Sequence, residues 1–179
     1  MPSPLDSTNS TSAPDAAARA VLRHLAATLA YRAAKVLRDV PPDFGAFSIG
    51  IDTRRPVRIV GHMADLMSWG ITIARGDIKW TPGSSDDWIT EVERFFAGLG
   101  ALDRELDAAG PFTGSIEQLI QGPLADALTH VGQLAMLRGL AGHPIRPESY
   151  ARAEIVPGRV GLEQAAPRRE FDGDASVRR

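Results

Sequence analysis

Two of the four histidines in this 179-residue chain stand at spacings that can do chemistry. His130 follows Asp126 by four residues in Leu124-Ala-Asp-Ala-Leu-Thr-His-Val-Gly-Gln-Leu134. On a helix this spacing projects a carboxylate and an imidazole from one face, one turn apart, so both can grip a single ion. Gln133 follows one turn further. His62 lies in the most apolar stretch of the chain, flanked by Ile59, Leu66 and Trp69, with Asp65 three residues on. A second helix carrying His62 can supply a third ligand across the interior, the way metal sites are built between facing helices. His62, Asp126 and His130 are the candidate metal ligands, and Asp65 and Gln133 the candidate hydrogen-bond partners that orient the imidazoles. No catalytic side chain is assigned.

The chain contains no cysteine, which removes disulfides, thiolate chemistry and cysteine-held zinc or iron–sulfur centres. Imidazole with carboxylate suits a borderline divalent ion such as Zn²⁺, Ni²⁺ or Fe²⁺. Two histidines and one carboxylate leave coordination positions open, as at a catalytic rather than a structural metal. Such an ion acidifies a bound water or holds a thiol as thiolate. Spacing alone leaves another outcome open, in which His62 with Asp65 and His130 with Asp126 are hydrogen-bonded pairs without metal. His24 and His143 read as surface and turn residues. Met63, Met67, Met136, Trp69 and Trp88 read as core filling.

Four amphipathic segments must position these groups. Apolar residues at Val21, Leu22, Leu25, Leu29, Val36 and Leu37 predict a helix from Ala16 to Leu37 with Asp15 as its cap, ended by Pro41-Pro42. A second helix runs from about Pro56 to Ala74, with Pro56 in the first turn, where a missing N–H costs nothing. Its wide apolar arc predicts deep burial. Residues 76–85 form a long connection. A third helix spans about Asp87 to Ala109, capped from Ser84-Ser85-Asp86, weakened by Gly98 and Gly100, and closed by Gly110-Pro111. The fourth starts after Gly114 with Ser115 as cap, meets Pro123 as a kink or a new start, and stops at Gly142 and Pro144. Tyr150 to Val156 reads as a short strand-like or extended segment. The organisation expected is a flexible tail over 1–14, one helical domain over 15–156, and an extended or mobile tail over 157–179. The fold class is all-α, and a four-helix bundle is the simplest way to bury four such faces.

With 20 basic and 22 acidic residues, the formal net charge is −2. That balance, with scattered arginines, gives no electrostatic footprint for nucleic acid. No apolar run approaches the ~18 residues of a membrane span, and Met1 to Pro14 lacks the basic-then-apolar pattern of a signal peptide. The expected location is cytoplasmic.

The segments Arg58-Ile-Val-Gly-His62-Met-Ala-Asp65-Leu-Met-Ser-Trp69 and Leu128-Thr-His130-Val-Gly132-Gln133-Leu-Ala-Met-Leu-Arg138 together resemble the second and fourth helices of the bacterial DinB/YfiT-like proteins. The resemblance covers residues 15–141. It implies a four-helix bundle with a long connection between the second and third helices. It also implies a divalent metal on three histidines, one from the second helix and two from a His-x-x-x-His on the fourth. Relatives include metal-dependent transferases of low-molecular-weight thiols and maleylpyruvate isomerase-like enzymes, and homodimers are frequent. His62 and His130 match two of the ligands. Asp126 stands where the family has its other histidine, which makes the set more anionic and harder in ligand character. Two readings follow. One is a metal-dependent enzyme acting on a small molecule, as a thiol S-transferase or a hydrolase, with its pocket near Trp69 and Trp80. The other is a non-catalytic, dimeric, stress-associated helical protein.

Overall fold

A computed structural model of the chain describes residues 13–83, 85–110 and 112–171. Among these residues the only β pairing is an isolated bridge between Glu148 and Glu170, and the architecture is all-α. The expected tail over 1–14 lies outside the described residues up to position 12. Helix α1 (Ala13–Leu37) starts before Asp15, which therefore sits in the first turn rather than capping it; there its charge still complements the helix dipole. Helix α2 (Pro56–Ala74) has Pro56 at its start, and thirteen of its nineteen residues are buried.

Helix α3 (Trp88–Asp107) is capped by Asp87, whose side chain accepts from Thr90 N at 2.7 Å. The cap lies one residue beyond Ser84-Ser85-Asp86, and Ser84 is outside the described residues. The helix ends at Asp107, short of Ala109. Gly98 does not break it. A Cβ there would come within 3.0 Å of Met67 Cβ, so the missing side chain is what lets α2 and α3 approach closely. Ser115 caps α4 (Ile116–Leu119) by accepting from Gln118 N at 3.2 Å. A single π turn over Ile120–Leu124, with Gly122 at φ −89° and ψ −105° and Pro123 inside it, leads into α5 (Ala125–Leu140). Pro123 has no N–H to give to the helical ladder, and the widened turn absorbs the defect.

Helices α1 and α2 each pack against both α3 and α5. One apolar core runs between them, with Leu22, Leu29, Met63, Met67, Phe95, Leu99, Leu102 and Leu134 fully buried. Met63, Met67 and Trp88 fill this core as expected, and Trp69 packs against its edge half-buried. Met136 does not: it is 58% exposed on the outer face of α5. The five-residue step from Val131 to Met136 is about 500°, which turns it away from the stripe that Ala127, Val131 and Leu134 bury. Arg138, on the inner side, donates to the carbonyls of Val36 at 2.8 Å and Arg38 at 2.6 Å. It thus satisfies carbonyls that the end of α1 leaves open and ties α1 to α5.

Beyond α5 the chain folds back. Tyr150–Arg152 is a 3₁₀ turn, not a strand, and extended backbone follows it. Residues 157–171 are irregular, with a turn at Pro157-Gly158; Val160 is buried, Ser149 N and Phe171 N donate to Arg169 O and Pro147 O, and the rest of the expected tail, 172–179, lies outside the described residues. Lys35 clamps both limbs of this strap, donating to Glu148 and Glu170 at 2.7 Å each, and Tyr31 donates to Glu148 at 2.7 Å. Burial and then the bond to Glu148 push the Tyr31 hydroxyl above its ordinary pKa. Burial works against the Lys35 ammonium, yet its bonds to Glu148 and Glu170 outweigh this and hold its pKa above the usual value. Both folded-state values are raised. Their stabilisation is therefore complete below the unfolded values, ~10 to 10.5, and is lost as pH rises through the folded ones. Tyr31→Phe leaves one oxygen of a fully buried carboxylate without its donor. It is expected to lower stability by about 1–3 kcal/mol in urea titrations at neutral pH, with the gap from wild type closing under alkaline conditions.

Candidate metal centre

The three side chains singled out by their spacing meet at one point. His62 Nε2 lies 3.3 Å from Asp126 Oδ2, and His130 Nε2 lies 3.3 Å from Asp126 Oδ1. The two imidazole rings are edge to face, with centroids 5.0 Å apart. One ligand atom from each of the three residues lies within 4.8 Å of the others, and the group could hold a metal ion.

Local structure explains the convergence. Helix α2 lies between α3 and α5, and His62 is on the side of α5. Asp126 is in the first turn of α5, immediately after the π turn. Asp126 and His130 are then one helical turn apart, so both face α2. Gly122, inside the π turn, is pressed against Trp69, whose ring would stand 3.0 Å from a Cβ there. Trp69 in turn contacts Trp80 with centroids 5.8 Å apart, and Trp80 lies 5.7 Å from the His62 ring. The connection between α2 and α3 thus lays an aromatic wall beside the centre. The Asp126 side chain is 43% exposed and that of His130 only 9%, so the centre opens on the carboxylate side.

Hydrogen bonding constrains the chemistry. Gln133 Oε1 accepts from His130 Nδ1 at 2.8 Å, as expected for a residue that orients the ring. With its proton on Nδ1, a neutral His130 turns the Nε2 lone pair toward a carboxylate oxygen. Two lone pairs facing each other need a cation between them, either a proton or a metal ion. The two 3.3 Å separations run to different oxygens of Asp126 and admit either cation: a metal ion held between the donors, or a proton in a long hydrogen bond such as the one between His62 and Asp126.

Asp65 is not part of this arrangement. Its Oδ1 accepts from Arg94 Nη1 at 2.6 Å and from Gly83 N at 3.0 Å, and it orients neither imidazole. Three residues along a helix rotate the side chain by about −60° from His62, enough to turn Asp65 from α5 toward α3. Sequence reasoning missed Arg94. It also donates to Glu91 Oε2 at 2.8 Å and to Gly61 O at 2.8 Å, joining α2, α3 and the connection that carries Trp80. The available signal was Glu91, a carboxylate in the apolar stripe with Val92 and Phe95, with an arginine one turn later. His24 and His143 are exposed and apart from the centre.

Among the described residues no helix is long and apolar enough to cross a membrane. Comparison with known proteins finds no matching family model, no matching curated protein and no matching solved structure.

Proposed function

We propose that this chain is a divalent-metal-dependent enzyme with a DinB/YfiT-like four-helix bundle, in which His62, Asp126 and His130 hold Zn²⁺, Ni²⁺ or Fe²⁺. The observation that carries the reading is the convergence of two Nε2 atoms on the two oxygens of one carboxylate, with Gln133 fixing the His130 tautomer. The pairwise packing of α1 and α2 on α3 and α5 supports the bundle assignment. When bound, the ion supplies Lewis acidity at its open positions, to a small thiol or to water. The protein's own contribution is to fix the ligand geometry, wall one side with Trp69 and Trp80, and leave the Asp126 side open to solvent. A homodimer in the bacterial cytoplasm, with a low-molecular-weight thiol as co-substrate, completes the proposal on the strength of the motif resemblance.

The test is metal analysis of protein purified without chelator, followed by Zn²⁺ and Ni²⁺ titration calorimetry on the stripped protein. One ion per chain is expected, with chelator lowering the melting temperature. No stoichiometric binding after reconstitution overturns the reading. The replacement of a family histidine by Asp126 favours a second reading, a non-catalytic dimeric protein of stress-associated role in which the three side chains form a hydrogen-bonded cluster. In that case His62→Ala lowers stability and leaves metal binding absent in both forms.

A further inference from the structure

A cleft of about 360 Å³ opens beside His62, with Asp65 and Glu91 at its floor and Arg54 and Arg58 on its walls. Its charge is not what the residue types suggest. The floor carboxylates are already matched: Glu91 accepts from Ser85 N and Arg94, and Asp65 Oδ1 from Gly83 N and Arg94. The wall arginines are not. Arg54 is exposed and has no hydrogen-bond or ion-pair partner among the described residues. Arg58 pairs only with Asp86, at 2.9 Å, and both side chains are solvated, so a ligand can displace that pair at little cost. The charge the cleft can offer a ligand is therefore positive. Guanidinium groups bind carboxylates through paired, charge-assisted hydrogen bonds.

We infer that the cleft binds the carboxylate of a small molecule whose other end reaches the metal ion, an inference that rests on the proposed metal centre. His62 is shared by the two sites, as metal ligand and as cleft wall. Arg58 is one helical turn before it, ~6 Å along the axis, and Arg54 lies in the segment that leads into α2. That rise sets the length of ligand the inference requires, about four or five atoms between the acid and the donor that meets the ion beside His62. The substrate class is thus a carboxylate-bearing small molecule with its donor atom, thiol or hydroxyl, separated from the acid by a short chain.

The probe pair is 4-mercaptobutyrate and 4-mercaptobutanol, matched in length and differing in the terminal charge. Binding to Co²⁺-loaded protein is read from the thiolate-to-cobalt absorption band. The carboxylate is expected to bind roughly tenfold more tightly. In the double variant Arg54→Gln with Arg58→Gln the two affinities converge, while Co²⁺ affinity and mercaptobutanol affinity stay as in wild type. Both substituted positions are exposed, so the fold is retained. A preference for the carboxylate that survives in the double variant overturns the inference, since the acid then binds the ion directly or elsewhere. Equal affinities in wild type, or no band with either thiol, overturn it as well. Failure of Co²⁺ to bind is read separately, before any thiol is added, and removes the metal proposal itself.

Discussion

His130→Ala is expected to weaken Zn²⁺ binding by roughly 100-fold or more, the largest single effect at the centre. In the proposed centre the residue supplies one of three ligands, and its side chain is the most buried of the three, so water cannot readily take its place. Its ring is also the one whose tautomer is fixed, by the bond from Nδ1 to Gln133 Oε1. Gln133→Leu keeps the ligand and removes only that constraint, and is expected to cost about 10- to 100-fold. Calorimetric titration of both variants gives the order directly. Chelator should lower the melting temperature of the wild type and leave that of His130→Ala unmoved. If instead both variants bind Zn²⁺ as the wild type does, the ion sits elsewhere and the convergence at Asp126 is a hydrogen-bonded cluster.

The helices and the pairing of Asp126 with His130 were legible in the sequence for the same reason: both depend on short-range periodicity. Asp126 and His130 share a face because they are one turn apart, wherever that helix packs. Pairing them with His62 required a tertiary contact between α2 and α5, which the motif resemblance anticipated and spacing did not. The errors mark where local pattern gives out. Asp65 is one turn from His62 in sequence, but about 60° of helical rotation assigns the two residues to different neighbouring helices. Met136 looked like core because its residue type usually is, and only the packing of α5 shows that its face is outward. The segment that folds back after α5 carries no periodicity. Its anchors are single side chains, Lys35 and Tyr31 reaching Glu148 and Glu170 from more than a hundred residues away in sequence. No window-based reading detects such a contact.

Arg94→Met is expected to be among the most damaging substitutions in the chain, lowering stability by about 3 kcal/mol, or roughly 6–12 °C in melting temperature. The guanidinium serves acceptors on three elements: Asp65 and Gly61 O on α2, Glu91 on α3, and Gly83 O on the connection between them. Its side chain is 31% exposed, whereas those of Asp65 and Glu91 are 7% and 1% exposed. Methionine fills much of the same space, so the loss is electrostatic rather than a cavity: two buried carboxylates remain with backbone donors alone. Adding Asp65→Asn and Glu91→Gln to Arg94→Met should therefore recover a large part of the stability, because the uncompensated charges are gone. Arg94→Lys keeps the charge but cannot span the same acceptors, and should fall between wild type and Arg94→Met. Arg94 also bonds the connection whose Trp80 stands beside His62, so its loss should shift tryptophan emission to the red while leaving His62, Asp126 and His130 in place. If the triple variant is no more stable than Arg94→Met, buried charge is not what Arg94 relieves, and its role reduces to the two carbonyls it joins across α2 and the connection.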